Sequence, residues 1–302
     1  MVEKTYMNFC NFLMTKKHTS ANTLASYQRD LRQFIQYLDA KQVSSWSDVS
    51  DELLKNYFSF LKNCNKSDST ISRSMSTMRC FFKYLVSKKI ISASPMVGIR
   101  GLKSEAKLPE VLSGEEVEQL LWQPDTQTAK GMRDKAMLEV LYASGIRVTE
   151  LLSLKISDVN LDVGYLMMNK HEENERIIPL YALAVQSLRN YINQARPQLV
   201  ENNKEQTLFV NTSGQAMTRQ GFWKLVKQYT SSANIDKDIT PKTLRHSFAT
   251  HLLENGADIN MVKDMMGHSS LNSTRVYTKL LKAKYLSTYE NCHPRAVKVG
   301  EQ

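Results

Sequence analysis

Cysteine is scarce in this chain: there are four, Cys10, Cys64, Cys80 and Cys292. None forms a CxxC pair or stands at a zinc-like spacing from a histidine, which argues against a structural zinc site. A disulfide framework would be unusual in a chain this long without an export signal, so the four read as reduced, partly buried thiols. Long apolar runs are also missing. No stretch approaches the ~20 residues needed to cross a bilayer, and Met1 to Lys17 mixes charges with apolar residues instead of forming a signal-peptide core. The expected location is the cytoplasm, with no membrane partner. There is no Walker-type phosphate loop and no carboxylate cluster suited to two metal ions. Asp158 and Asp162 lie close in sequence but read as turn and surface residues. No cofactor and no metal are expected, and no internal repeat or low-complexity tract is evident.

What is present is positive charge, unevenly placed. The net charge is +10, of which residues 1–107 carry +9 (17 Lys+Arg against 8 Asp+Glu). A basic first third points to a polyanion partner, most commonly nucleic acid.

The first hundred residues read as four amphipathic helices. Tyr6, Phe9, Cys10 and Leu13 make one stripe; Tyr27, Leu31, Phe34, Ile35 and Leu38 make the next. A third helix is expected over 50–61 with Leu53, Tyr57, Phe60 and Leu61 inward, and a fourth carries Ile71, Met75, Met78, Phe82 and Leu85. Beside that last stripe lie Ser72, Ser76, Arg79 and Lys83, hydroxyls and cations at helical spacing. They suit phosphate or groove contacts, or equally a plain solvated face. Pro95 closes this region, and 98–109, "GIRGLKSEAKLP", reads as a linker. The expected division is a helical DNA-binding domain at 1–97, the linker, and a second domain at 110–302.

In the second part, Ser113 is expected to cap a helix, an apolar helix covers 134–143 and ends near Gly145, and a short helix follows from Arg147 to Leu154. Then the period changes: 165–169 and 176–180 read as a hairpin joined by "KHEENE", with 207–211 as a third strand. Helices are expected over about 182–195, 218–232, 241–254, 258–266 and 270–288.

The densest chemistry lies in the last third. Thr240 and Pro241 start a helix well, and Lys242 and Arg245 then project from one face beside its N-terminus, an end that already favours anions. Gly256 and Asp258 punctuate the next helix; Gly267 closes it, and His268 follows directly. Tyr277 stands nine residues further on, one of thirteen tyrosines.

Taken alone, each of these features has a structural explanation. Together, "TPKTLRHSFATHLLENGADINMVKDMMGHSSLNSTRVYTK" resembles the C-terminal signature of the tyrosine recombinases, or lambda-integrase family. Upstream, "VLYASGIRVTELLSL" resembles the family's first arginine box, and "LPEVLS" with "RDKAMLEVLYASGIRVTEL" is most similar to the Xer branch. The resemblance spans nearly the whole chain. It implies a mainly α fold: a helical, SAM-like core-binding domain plus a mixed, α-rich catalytic domain with a small antiparallel sheet.

It also implies a chemistry. Tyr277 would attack the scissile phosphate and hold the DNA as a 3′-phosphotyrosyl intermediate. Arg147 and Arg245 would clamp the non-bridging oxygens, and the Lys170 of the hairpin would protonate the leaving 5′ oxygen. Lys242 and His268 would complete the pocket, with Glu150 orienting its neighbours. The cationic cluster is expected to favour the phenolate of Tyr277, whose free pKa of ~10 otherwise keeps it protonated. The chain departs from the pattern at Lys242, where many members have histidine, leaving open whether Lys242 supplies charge alone or handles the tyrosine proton.

The implied partner is double-stranded DNA, bound by a homo- or hetero-tetramer on two sites, the latter needing a second recombinase. The tail after Thr278 begins as an amphipathic helix that packs on a neighbouring subunit or folds back in cis. Resolution of chromosome or plasmid multimers is the expected role, with integration and excision of a mobile element as the alternative. Two other readings compete: a helix-turn-helix regulator, suggested by "FATHLLENGADINMVKDMMGHSS", and a type IB topoisomerase. The first does not explain Arg147, Lys170 and Tyr277 matching in order and spacing, and the Xer-like N-terminal domain argues against the second.

Overall fold

The computed structural model describes residues 2–15, 19–101, 109–169, 175–200, 205–268 and 270–278. The chain divides into two compact units, Met1–Ala106 and Lys107–Gln302.

The first unit is helical: α1 (Val2–Thr15), α2 (Ala21–Ala40), a 3-10 turn at Trp46–Asp48, α3 (Asp51–Asn63) and α4 (Asp68–Ser87). Ser20, Ser50 and Ser67 cap α2, α3 and α4, each accepting from the amide three residues on. Such a cap satisfies one of the amide donors that a helix start leaves unpaired. Phe34, Trp46, Tyr57, Phe81 and Phe82 interlock in the core. Asp30 of α2 is buried and accepts from Arg73 and Thr77 of α4, both at 2.9 Å.

The buried stripes of α1 and α4 are those expected from the sequence. In α3 the inward face is Leu54, Tyr57, Phe58 and Leu61, with Phe60 40% exposed. Those four positions are a true i, i+3, i+4, i+7 set. Phe60 sits at their margin against Tyr37. On α4, Ser76, Arg79 and Lys83 are exposed and Ser72 is half-buried. Ser76 donates to the Ser72 carbonyl, and Arg79 Nη2 donates to the Ile99 carbonyl at 2.9 Å.

The second unit is built on α6 (Ala129–Ser144), with α5 (Gly114–Trp122) before it and α7 (Val148–Ser153) after it. Ser113 and Glu116 form a reciprocal capping box on α5. The apolar stretch expected at 134–143 is the middle of α6, which starts at Ala129 under a Thr128 cap. Its centre, from Ala136 to Leu141, is buried all round, so it has no polar face. Even its charges are internal: Arg133 and Asp134 pair at 2.6 Å, with Val210 and Tyr229 satisfying their other valences.

After α7, β1 (Val159–Asn160), β2 (Tyr165–Met168) and β3 (Arg176–Pro179) form one antiparallel sheet in that order. Its register sets Leu166 against Ile178 and Met168 against Arg176. The expected third strand at 207–211 is a correction. That segment makes only isolated bridges, Lys155 with Thr207 and Val210 with Ala216, and the third strand is β1. Leu208, Phe209 and Val210 are fully buried as a core plug. Side chains replace ladder partners there, Tyr191 and Arg196 both donating to the Leu208 carbonyl.

Next come α8 (Ala182–Asn190), a π-helical turn (Tyr191–Ala195) and α9 (Arg196–Leu199). Pro197 has no amide hydrogen to donate, and the wider turn just before it absorbs that loss. Then follow α10 (Arg219–Ser232), α11 (Pro241–Glu254) and α12 (Ile259–Met265). The last described segment is a 3-10 turn, Leu271–Ser273, and a helical turn at 275–278. The helix expected to 288 runs beyond the described residues.

α11 is anchored at several points. Ser247 Oγ accepts from the Leu112 amide, and His251 joins the Leu112 carbonyl to the Tyr142 hydroxyl. Gly145, at the end of α6, has φ of +58° and lies against Phe248 of α11. A Cβ there would come within 2.1 Å of the Phe248 ring. Left-handed backbone costs a side-chain-bearing residue ~1–2 kcal/mol, and overpacking adds ~1–3. Gly145→Ala is therefore expected to lower unfolding stability by about 2–4 kcal/mol in urea denaturation of the full chain. A loss below about 1 kcal/mol would show that the α6–α11 contact yields freely.

Candidate active site

The site is organised by the end of α12. Asp258 caps its start, accepting from the Asn260 and Met261 amides. Its last turn closes on Gly267 at φ +63°, with Gly267 N–H donating to Asp264 O and His268 N–H to Lys263 O. This pairing is a Schellman closure, and the terminal carbonyls remain as acceptors at the negative end of the helix. Three arginines take three consecutive ones. Arg176 Nε donates to Met265 O at 3.0 Å, Arg245 Nη2 to Met266 O at 2.8 Å, and Arg147 Nη2 to Gly267 O at 2.8 Å. They come from β3, α11 and the N-cap of α7, so one short turn ties three elements together. The glycine is needed here as well, since a Cβ at Gly267 would lie 2.8 Å from the Arg176 Cζ.

Arg245 is the deepest of the three, with 8% of its surface exposed. It also donates to Gly145 O at 2.5 Å and meets His268 Nε2 at 2.9 Å. Burial first, and then the charge of Arg147, push its pKa down to about 10, which leaves it protonated at neutral pH. A guanidinium has only donors, so His268 Nε2 accepts and its Nδ1 carries the hydrogen. That hydrogen faces the buried Thr274 Oγ1 at 2.9 Å. Burial, then the Arg245, Arg147 and Arg176 charges, push His268 down to about 4, so the ring is neutral.

Glu150 is the carboxylate of the cluster. It accepts from the Arg147 amide at 2.7 Å and from Arg176 Nη2 at 2.8 Å, and its Oε1 lies 3.4 Å from Arg147 Nη1. Burial alone would raise this carboxyl; the Arg147 amide and the Arg176 guanidinium outweigh it and hold it below the usual value of 4.5. Arg176 was given no role in the sequence reading. It is the first residue of β3, opposite Met168, and nothing local marks it as pointing toward α12.

Tyr277 is buried, 2% exposed, among Phe248, Val262 and Met266. Its hydroxyl lies 2.8 Å from His246 Nδ1. The expected phenolate is not favoured here: burial raises the phenol, and the nearby Arg245 charge only partly opposes it. His246 is the second residue that the sequence reading left without a role, although it adjoins Arg245. Burial, then Lys242, Arg245 and His268, push it down to about 4.

One cleft of about 770 Å³ brings Arg147, Lys242, Arg245, His246, His268 and Tyr277 to a common wall. Thr240, Pro241, Arg219 and Trp223 also line it. Thr240 and Thr243 cap the start of α11 reciprocally, with Pro241 at its first turn, so Lys242 projects beside that N-terminus. Of the residues singled out in the sequence, Arg147, Glu150, Lys242, Arg245, His268 and Tyr277 are thus brought together. Lys170 lies outside the described residues. Ser72, Ser76, Arg79 and Lys83 belong to the first unit.

A cationic cleft with one buried arginine, Arg245, one exposed arginine, Arg147, two neutral histidines and a tyrosine hydroxyl is suited to holding a phosphodiester against an oxygen nucleophile. Comparison with known proteins agrees. Residues 110–284 match the model of the phage integrase family, and residues 7–89 match the phage integrase N-terminal SAM-like domain. The chain belongs to the phage integrase family. A protein named tyrosine recombinase XerD from Oceanobacillus iheyensis is 44% identical over 298 residues, 98% of this chain and 100% of that one. The XerD of Staphylococcus epidermidis is 41% identical over 288 residues, 95% of this chain and 98% of its own. Among solved structures, a XerH recombinase bound to its palindromic difH substrate after cleavage shares the fold. Its TM-score is 0.77, at 24% identity, covering 91% of this chain and 81% of that one. This phage integrase family member is a tyrosine recombinase of the Xer type, an enzyme that cleaves and rejoins DNA strands. No helix among its described residues is long and apolar enough to cross a membrane.

Replacing Glu150 with glutamine keeps its shape and removes its charge. Glu150→Gln is expected to lower stability at pH 7 by about 1–3 kcal/mol, the size of a charge-assisted hydrogen bond between partly buried groups. The sign with pH follows from the lowered carboxyl. Its contribution is complete above 4.5 and is lost as pH falls through the folded-state value, so wild type and variant converge below 4.5. Denaturant melts from pH 7 to pH 3 check this, and a gap that stays constant would deny the carboxylate its role.

Proposed function

We propose that Tyr277 is the nucleophile of this recombinase and that the cleft around it binds the scissile phosphate of duplex DNA. The observation that carries this reading is the meeting of Arg147, Arg245, Lys242, His268 and the Tyr277 hydroxyl on one cleft from four separate segments.

The chemistry follows from the groups. The phosphodiester places its non-bridging oxygens against Arg147 and Arg245, which meet the charge that builds in the transition state. Tyr277 Oη attacks phosphorus, the bond to the 5′ oxygen breaks, and a 3′-phosphotyrosyl link forms. Lys170 supplies the proton that makes the 5′ oxygen a good leaving group. The link conserves the energy of the broken bond, so a 5′ hydroxyl from another strand reverses the step and completes exchange without a nucleotide or metal. Glu150, from beneath, fixes the fork of Arg147 and the position of Arg176.

The basic 1–97 region is the core-binding domain in this reading, with 98–109 as linker and 110–302 as catalytic domain. Ser72, Ser76, Arg79 and Lys83 contact the DNA backbone, and phosphate contacts give strongly salt-dependent affinity. The working assembly is a tetramer on two sites in the cytoplasm, made of this chain alone or with a second recombinase, and its task is resolving chromosome or plasmid multimers. The similarity to XerD proteins over nearly the full length supports that role over a mobile-element integrase.

The test is covalent trapping on a nicked suicide substrate carrying the source's own recombination site. Wild type should give a DNA-linked band on a denaturing gel, and Tyr277→Phe should give none while binding DNA normally. A band from Tyr277→Phe would remove Tyr277 from the mechanism. Arg147→Ala and Arg245→Ala should each lose about 10²-fold or more in cleavage rate, the usual cost of a preorganised charge donor. Lys170→Ala should recover on a substrate with a 5′-bridging sulfur, whose thiolate leaves without a proton; failure to recover would exclude Lys170 as the acid.

A further inference from the structure

We propose that His246 takes the phenolic proton of Tyr277 as that oxygen attacks phosphorus, and returns it when the phosphotyrosyl bond is broken. The proposal rests on the reading of Tyr277 as nucleophile and adds a catalytic group to it.

Geometry comes first. His246 Nδ1 lies 2.8 Å from Tyr277 Oη, with the rings tilted 54° and their centroids 5.5 Å apart. His246 sits on α11, directly after Arg245 and one turn after Lys242, so it shares the floor of the cleft with both. The other groups at hand cannot accept a proton. Arg147 and Arg245 have donors only, as does lysine in its ordinary charged form. His268 has Nε2 engaged by Arg245 and Nδ1 by Thr274. Burial keeps the Tyr277 phenol protonated, so its hydrogen needs an acceptor, and His246 Nδ1, 2.8 Å away, is one in the tautomer that carries its hydrogen on Nε2.

The groups facing His246 are Lys242 and Arg245 on its own helix, His268 after α12, and Tyr277. Burial first, and then the charges of Lys242 and Arg245, keep the ring neutral, the form that can accept. A phosphodiester on Arg245 and Lys242 offsets those same charges and makes the imidazole more basic when the proton must move. The step balances. The Oη–P bond forms and the P–O5′ bond breaks; the phenolic proton goes to His246 Nδ1 while a separate acid protonates O5′. In the reverse step, the incoming 5′ hydroxyl attacks phosphorus and Tyr277 Oη leaves with the proton from His246.

The experiment is single-turnover cleavage of the suicide substrate against pH, for wild type, His246→Asn and His246→Gln. Both amides can still accept a hydrogen bond, but neither takes up a proton. The variants should bind DNA as wild type does and cleave about 10²-fold more slowly at pH 7, the lower end for a general base. Their deficit should shrink as pH rises, because solvent base then removes the proton. Cleavage within about threefold of wild type, or a deficit that is the same at every pH, overturns the proposal. Should the variants fail to fold, the imidazole nitrogens of wild type give the answer by ¹⁵N NMR. Hydrogen on Nε2 with Nδ1 bare supports the proposal, and hydrogen on Nδ1 overturns it. If wild type itself forms no covalent adduct, the nucleophile assignment falls and this inference with it; a normal wild type beside unimpaired variants removes His246 alone.

Discussion

Three guanidinium groups converge on the last carbonyls of a seven-residue helix, and the catalytic unit is arranged around that junction. Gathering like charges in a partly buried place is costly unless each finds acceptors. Here the acceptors are the dipole-negative end of α12, Gly145 O at the end of α6, and the Glu150 carboxylate. Each arginine arrives from a different element, so the junction fixes β3, α7, α11 and α12 relative to one another. In the proposed reading, a phosphate clamp built this way is stiff before substrate arrives, and a stiff clamp needs no reorganisation during reaction. The two left-handed glycines serve the same end. Gly145 lets α11 approach α6, and Gly267 lets Arg176 lie across the turn.

The cluster also sets the charge state of its neighbours. His246 and His268 both lie near about 4, for the same two reasons, burial and adjacent cations. Their partners give them different work. His268 receives a hydrogen bond from Arg245 and gives one to Thr274, and so braces the clamp. His246 has Lys242 and Arg245 beside it on α11 and the Tyr277 hydroxyl before it. Under the proposal, two residues of one type in one field divide into a brace and a proton acceptor by hydrogen-bond partner alone.

Much of this was legible in the sequence, because it was written locally. The apolar stripes of the first four helices, the Ser113 cap, the Thr240-Pro241 start and the glycine stops are short-range signals, and they placed the helices well. The ordered motifs picked out Arg147, Lys242, Arg245, His268 and Tyr277, which do meet at one cleft. What could not be read depends on tertiary contact. The 207–211 segment has strand-like composition, yet its buried apolar residues fill the core between side-chain hydrogen bonds. Phe60 fell off the inward stripe of α3 because two neighbouring helical positions compete for one face. Arg176 reaches α12 across a long sequence separation, and only the sheet register reveals that. The phenolate was expected from the cations nearby, but that argument omitted burial, which is the larger effect on Tyr277.

That last point bears on how such a site avoids cutting at random. A phenol lowered toward neutrality would be a standing nucleophile toward any phosphodiester passing the cleft. Instead the hydroxyl is buried, protonated and tied to a weakly basic imidazole, so attack requires something to change. Burial and the cationic field together keep the imidazole weak, and in the proposed reading the charge of a seated phosphodiester relaxes the second of these. Substrate therefore brings both the electrophile and the electrostatic condition for deprotonation. A histidine in place of Lys242 could share in moving the proton; a lysine there supplies charge and a donor but no acceptor. Under the proposal, the departure at 242 and the contact at 246 are two halves of one arrangement, with Lys242 and His246 one helical turn apart on α11.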